Sequence, residues 1–201
     1  MTVLAARHSF SGLTWCLPML SCLNPALGFG SDGGPAVDFG AIRPPAVPLV
    51  VHDPYFSIWS RADRLADVET THWTGKEQPL RSLARIDGRC WRLLGAEPAD
   101  LPPMRQTALR VLPTATRAEF ESETVRIALE FITPALPGDL DILSRPATYL
   151  RWTVESRDGQ SHEAQIYFEA SPLLAVHEPG QIVQAEFASS AAGLSIGRIG
   201  T

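Results

Sequence analysis

From Ile42 onward the apolar positions recur mostly with a period of two, the mark of half-buried strands, and seldom with the 3.6 of a helix. The clearest case is Val125–Ile132. There Val125, Ile127, Leu129 and Phe131 face one way, and Arg126, Ala128, Glu130 and Ile132 the other. A strand with one buried face and one mixed face needs that alternation. Residues 148–155 repeat it, with Leu150, Trp152 and Val154 opposite Tyr149, Arg151, Thr153 and Glu155. Shorter runs predict strands over residues 49–51, 56–59, 81–86, 90–94, 107–112, 116–120, 163–169, 182–187 and 194–199. Asp87-Gly88 separates two of them, and that dipeptide tolerates the positive φ angles of a tight hairpin. Residues 157–160 (RDGQ) predict another turn. Helix signals are few: residues 62–68 predict one turn, with Ser60 placed to cap it. The fold class is all-β, an antiparallel β-sandwich of short strands with few or no helices. Residues 194–201 read as the middle of a strand pair, so an incomplete sandwich, cut short of its full architecture, is expected.

The chain has 201 residues, 45% hydrophobic and 19% charged, enough for one medium domain or a small pair with a real core. Seventeen prolines and fifteen glycines fit many turns between short strands. The formal charge is −5, and Lys76 is the only lysine. An acidic chain without a basic run lacks the phosphate-neutralising surface that nucleic-acid binding needs. Near the start, Arg7 and His8 precede an uncharged stretch over residues 12–27, which closes on Ala26-Leu27-Gly28. That predicts a secretory signal peptide over residues 1–28, hence a secreted or periplasmic protein. The stretch is too short, and too broken by Pro18, Asn24 and Pro25, for a membrane span. Its removal takes Cys16 and Cys22 and leaves Cys90, so no intrachain disulfide forms. Cys90 is expected to be a small buried residue rather than a nucleophile. Residues 29–41 read as a flexible linker. Two β segments follow, 42–98 and 99–201, joined by the proline-rich connector 97–105.

The densest chemistry lies between Arg43 and Lys76, where His52, Asp53, Tyr55, Trp59, His72, Trp73 and Lys76 crowd together. As a ligand-binding groove, Tyr55, Trp59, His72 and Trp73 would supply aromatic walls and Lys76 a point charge for a carboxylate. The plainer alternative makes Trp59 and Trp73 core residues and His72 the partner of a backbone carbonyl. Asp53, ahead of Pro54, is either a cap on nearby backbone N–H groups or part of a site wall. No metal is expected: His52, Asp53, Asp67, Glu69 and His72 lack ligand spacing, and Asp139 with Asp141 reads as a solvated turn. No GxSxG elbow is present, and no catalytic residue and no cofactor is assigned.

Several long segments carry a family resemblance. RPPAVPLVVHDPYFSIWS, THWTGK and LARIDGRCWRLLG, then FITPALPGDLDILSRPATYLRW and QIYFEAS, resemble in order the N-terminal region of the secreted glutaminase A family. The resemblance covers residues 42–201. It implies an N-terminal β-sandwich set ahead of a large α-helical toroid, and a family reaction that hydrolyses the side-chain amide of L-glutamine. The toroid, the expected C-terminal partner domain, is absent from this chain, so the chain alone is expected to be inactive. The implied role of the cluster is to close one side of an active-site mouth, through His52, Asp53 and Tyr55 or through His72, Trp73 and Lys76. Three alternatives stay open. One is a stand-alone module binding a carbohydrate or amino acid. Another is the front domain of a glycoside-hydrolase-like toroid enzyme. The third is an interaction domain whose apolar face docks on a partner chain.

Overall fold

The structure is a computed structural model and describes residues 6–10, by their backbone, together with 44–189 and 195–201. The predicted leader and linker, and the start of the first β segment, lie outside the described residues but for one short strand, β1 (Ala6–Phe10).

Two four-stranded antiparallel sheets make the sandwich. The first is ordered β1-β11-β5-β6, with β5 Leu80–Ile86, β6 Arg89–Leu94 and β11 His162–Ala170. The second is ordered β10-β9-β8-β7, with β7 Arg105–Leu112, β8 Ala115–Glu121, β9 Val125–Ile132 and β10 Tyr149–Ser156. A small sheet, β2 (Val47–Val51), β3 (Ser57–Ser60) and β4 (Thr71–His72), packs into the same core. A two-stranded ribbon, β12 (Gln184–Ser189) and β13 (Ser195–Gly200), completes the set. The expected all-β antiparallel class therefore holds.

Alternation along each strand decides which side chains meet. Phe120 from β8 and Ile127, Leu129 and Phe131 from β9 are buried against Leu80, Ala84 and Ile86 of β5. β9 lies centrally in its sheet, and its second face is also largely covered: Ala128 and Glu130 are buried. Trp152 ties the two sheets together. Its indole N–H donates to Ser82 Oγ at 3.1 Å, and its ring lies 5.6 Å from that of Phe168. Thr116 donates to the Pro48 carbonyl at 2.7 Å, fastening the small sheet to β8.

The predicted hairpin forms at Asp87-Gly88, with φ of +49° and +83°. The predicted helical turn over residues 62–68 does not form; that segment is turns and bends. Leu65 is fully buried, its N–H donates to Gln106 Oε1 at 2.9 Å and its carbonyl accepts from Gly95. These tertiary bonds pin the backbone where helical bonds would otherwise run. A short helix, α1 (Leu140–Leu143), forms instead in the stretch read as a turn, capped by Asp139, whose Oδ1 accepts from Ile142 N at 3.0 Å. Cys90 is half-exposed rather than buried, because its register opposite Arg85 turns it to the outer face of β6.

Strand direction gives the sandwich two unlike ends. One end gathers the β2–β3 loop, the β4 turn, the β7–β8 turn and the β9–β10 connector. The other gathers the β5–β6, β8–β9 and β10–β11 turns.

Candidate functional site

The first end carries the predicted cluster. Asp53 Oδ1 accepts from the N–H groups of Tyr55 and Phe56 at 2.7 and 2.9 Å, so its carboxylate folds the loop. The Pro54 carbonyl then takes two donors, the Trp73 indole N–H at 2.7 Å and His72 Nε2 at 3.0 Å. A carbonyl only accepts, so His72 carries its proton on Nε2. Nδ1 is left to accept from the Thr74 hydroxyl at 2.8 Å. Lys76 donates to the carbonyls of Val176 and His177 at 3.0 and 2.6 Å. His52 stacks on Phe56 at 5.4 Å and meets Thr148 Oγ1 at 3.2 Å. The loop and turn thus form one bonded unit, reaching across to the β9–β10 connector and to the segment after β11.

The polar atoms of this unit are mostly engaged with one another. Lys76 has given its ammonium to backbone carbonyls rather than holding it for a ligand carboxylate. Trp59 is half-buried, and its indole nitrogen is buried without a hydrogen-bond partner. What remains on show is ring surface: Tyr55 is 91% exposed and Trp73 58%. Val51, Leu112, Leu140 and Tyr149 add further exposed apolar surface at this end. A groove of about 200 Å³ runs between Val51, Leu112, Thr133 and Ala135. The residues singled out in the sequence lie together at this end. The partners that consume its polar groups could not be read from it, since Lys76 and His177 lie 101 positions apart.

The opposite end is charged and was missed from the sequence. A groove of about 560 Å³ opens there between the sheets, lined by Asp87, Arg89, Trp91, Arg105, Glu121 and Glu123 among others. Glu121 receives Arg105 at 2.7 Å, Arg126 at 2.9 Å and, more loosely, Arg157 at 3.6 Å. The Arg126 hydrogen bond holds its carboxyl below the usual carboxylate range. Beside the groove, His162 is gripped by Asp87 Oδ2 at 2.6 Å and Asp158 Oδ1 at 2.9 Å. Asp158, then Asp87, pull the imidazole above its ordinary value. In return the His162 hydrogen bond holds Asp158 down at about 2 and lowers Asp87. A sequence reader could have noted only that each of these residues sits in or next to a turn. Among the described residues no three His, Cys, Asp or Glu side chains converge as a metal ligand set.

Comparison with known proteins adds the following. The family model described as Domain of unknown function (DUF4964) matches residues 36–106, and Domain of unknown function (DUF5127) matches residues 114–201. A curated protein named Glutaminase A, from Aspergillus oryzae (strain ATCC 42149 / RIB 40), is 29% identical over 195 residues. That alignment takes in 93% of this chain but 27% of the relative, so the chain spans little more than a quarter of that protein's length. No solved structure matches the chain.

Proposed function

We propose that this chain, homologous to the N-terminal part of glutaminase A, is the non-catalytic β-sandwich of a longer, secreted or periplasmic glutaminase-A-like hydrolase. The observation that carries the reading is the alignment itself: nearly the whole chain corresponds to about a quarter of a much longer relative. The activity proposed for the longer protein is hydrolysis of the L-glutamine amide. The site geometry supports a supporting role for the sandwich. The His, Asp and Lys side chains of the aromatic end are engaged in holding its loops, and proton transfer by a side chain needs it within reach of a substrate proton. The exposed rings of Tyr55 and Trp73 are free to face a neighbouring domain and border its site.

The test uses a chimera in which this chain replaces the matched part of the Aspergillus oryzae protein. Tyr55→Ala with Trp73→Ala is expected to lower kcat/KM for L-glutamine by about tenfold, beyond the modest loss of Tm that follows from losing the Trp73 bond to Pro54. His72→Ala and Lys76→Ala, which remove loop fastenings, are expected to lower Tm instead. Unchanged kinetics in a folded Tyr55/Trp73 double variant would remove these loops from the reading.

A further inference from the structure

The ribbon β12–β13 has a face that the described residues leave largely uncovered, with Phe187 exposed and Ile199 half-buried. Its register sets Ala185 opposite Ile199 and Phe187 opposite Gly197 on one side. Gln184 opposite Gly200, Glu186 opposite Arg198 and Ala188 opposite Ile196 lie on the other, which is the more polar of the two although Ile196 is also exposed. Every residue of β12 is exposed, Phe187 by 63%, and Ile182 just ahead of it by 86%. Gly197 presents no side chain opposite Phe187. The ribbon's main packing neighbour is the short 3-10 turn Pro172–Ala175. A two-stranded ribbon on its own is marginal in water and needs a third element against its apolar face.

We propose that the Ala185–Phe187–Ile199 face is the docking surface for the remainder of the longer glutaminase-A-like polypeptide, through an apolar surface of that part. The proposal rests on the function read above and adds where the contact is made. Three observations select this occupant. The matched relative has nearly three-quarters of its length outside the alignment, which supplies ample chain to cover the ribbon. The turn beneath the ribbon leads into Val176 and His177, whose carbonyls hold Lys76. The ribbon is therefore tied to the same end as the exposed rings. The opposite end has its charges engaged in ion pairs and shows no exposed large apolar side chain among the described residues.

Hydrogen exchange on the isolated chain and on the chimera tests this. Amides over residues 184–189 and 195–200 are expected to exchange at least about tenfold more slowly in the chimera. Phe187→Asp in the chimera should restore fast exchange there while β9 stays protected. Glu186→Lys, on the opposite face, should leave the protection intact. Equally fast ribbon exchange in both proteins overturns the docking proposal, and an active chimera would still uphold the functional reading. A protected ribbon in a chimera without glutaminase activity overturns the functional reading and, with it, this identification of the partner. Ribbon protection that appears in the isolated chain as its concentration rises would make the occupant a second copy, and would also overturn the proposal.

Discussion

His162 joins two turns that are far apart in the chain, and its bonds should make stability depend on pH. Its raised value means that its stabilising effect is complete below the ordinary 6.5 and disappears as pH climbs through the higher folded value. Asp158, lowered from 3.8 to about 2, contributes above 3.8, and that contribution is lost as pH falls through about 2. Asp87 acts in the same sense as Asp158. Thermal melts of His162→Gln against the parent should therefore differ most between pH 3.8 and 6.5, and less as pH climbs through the raised His162 value or falls toward about 2. A gap that stays constant across that range would count against the clamp. At this scale the sequence was a partial guide. It marked Asp53 as a turn-capping candidate, and the carboxylate does accept two backbone N–H bonds. It gave no sign of the His162 clamp, whose members come together only when β11 pairs with β5.

Strands were legible because alternation is a local property. Burying one face of a pleated strand demands it whatever the partner strand is, so the five strands of 105–170, the hairpin at Asp87 and the turn at Asp158 sit close to their expected places. Segment 62–68 was misread because its decisive bonds, from Leu65 to Gln106 and Gly95, are tertiary. Glycine roles likewise depend on the surroundings. Gly88 and Gly95 both have positive φ, +83° and +86°, but only Gly95 is enclosed: an added Cβ would meet Arg81 Cγ at 2.8 Å and the Leu80 carbonyl at 3.2 Å. Gly88→Ala should cost about 1–2 kcal/mol for the left-handed backbone alone. Gly95→Ala should cost distinctly more, because the backbone carbonyl beside it has little room to yield. Urea unfolding of the two variants decides this, and equal losses would mean that the β6 end relaxes freely around the new methyl group.

At the scale of the molecule, the sandwich is polarised. One end binds its own charges into short ion pairs, and the other spends its polar groups on loop fastening and displays rings and the largely uncovered ribbon face. No stretch of sequence states that polarity, because it arises from the order in which strands enter the two sheets. A module embedded in a larger protein needs one end able to be desolvated cheaply, and exposed apolar surface of this kind marks such contacts. The central claim is that this fold supports a glutaminase reaction without performing it. The most direct test is ammonia release from L-glutamine, measured side by side for the isolated 201-residue chain and for the chimera carrying it. The account predicts no release above background from the isolated chain and clear turnover from the chimera. Turnover by the isolated chain, or a folded chimera without activity, would contradict it.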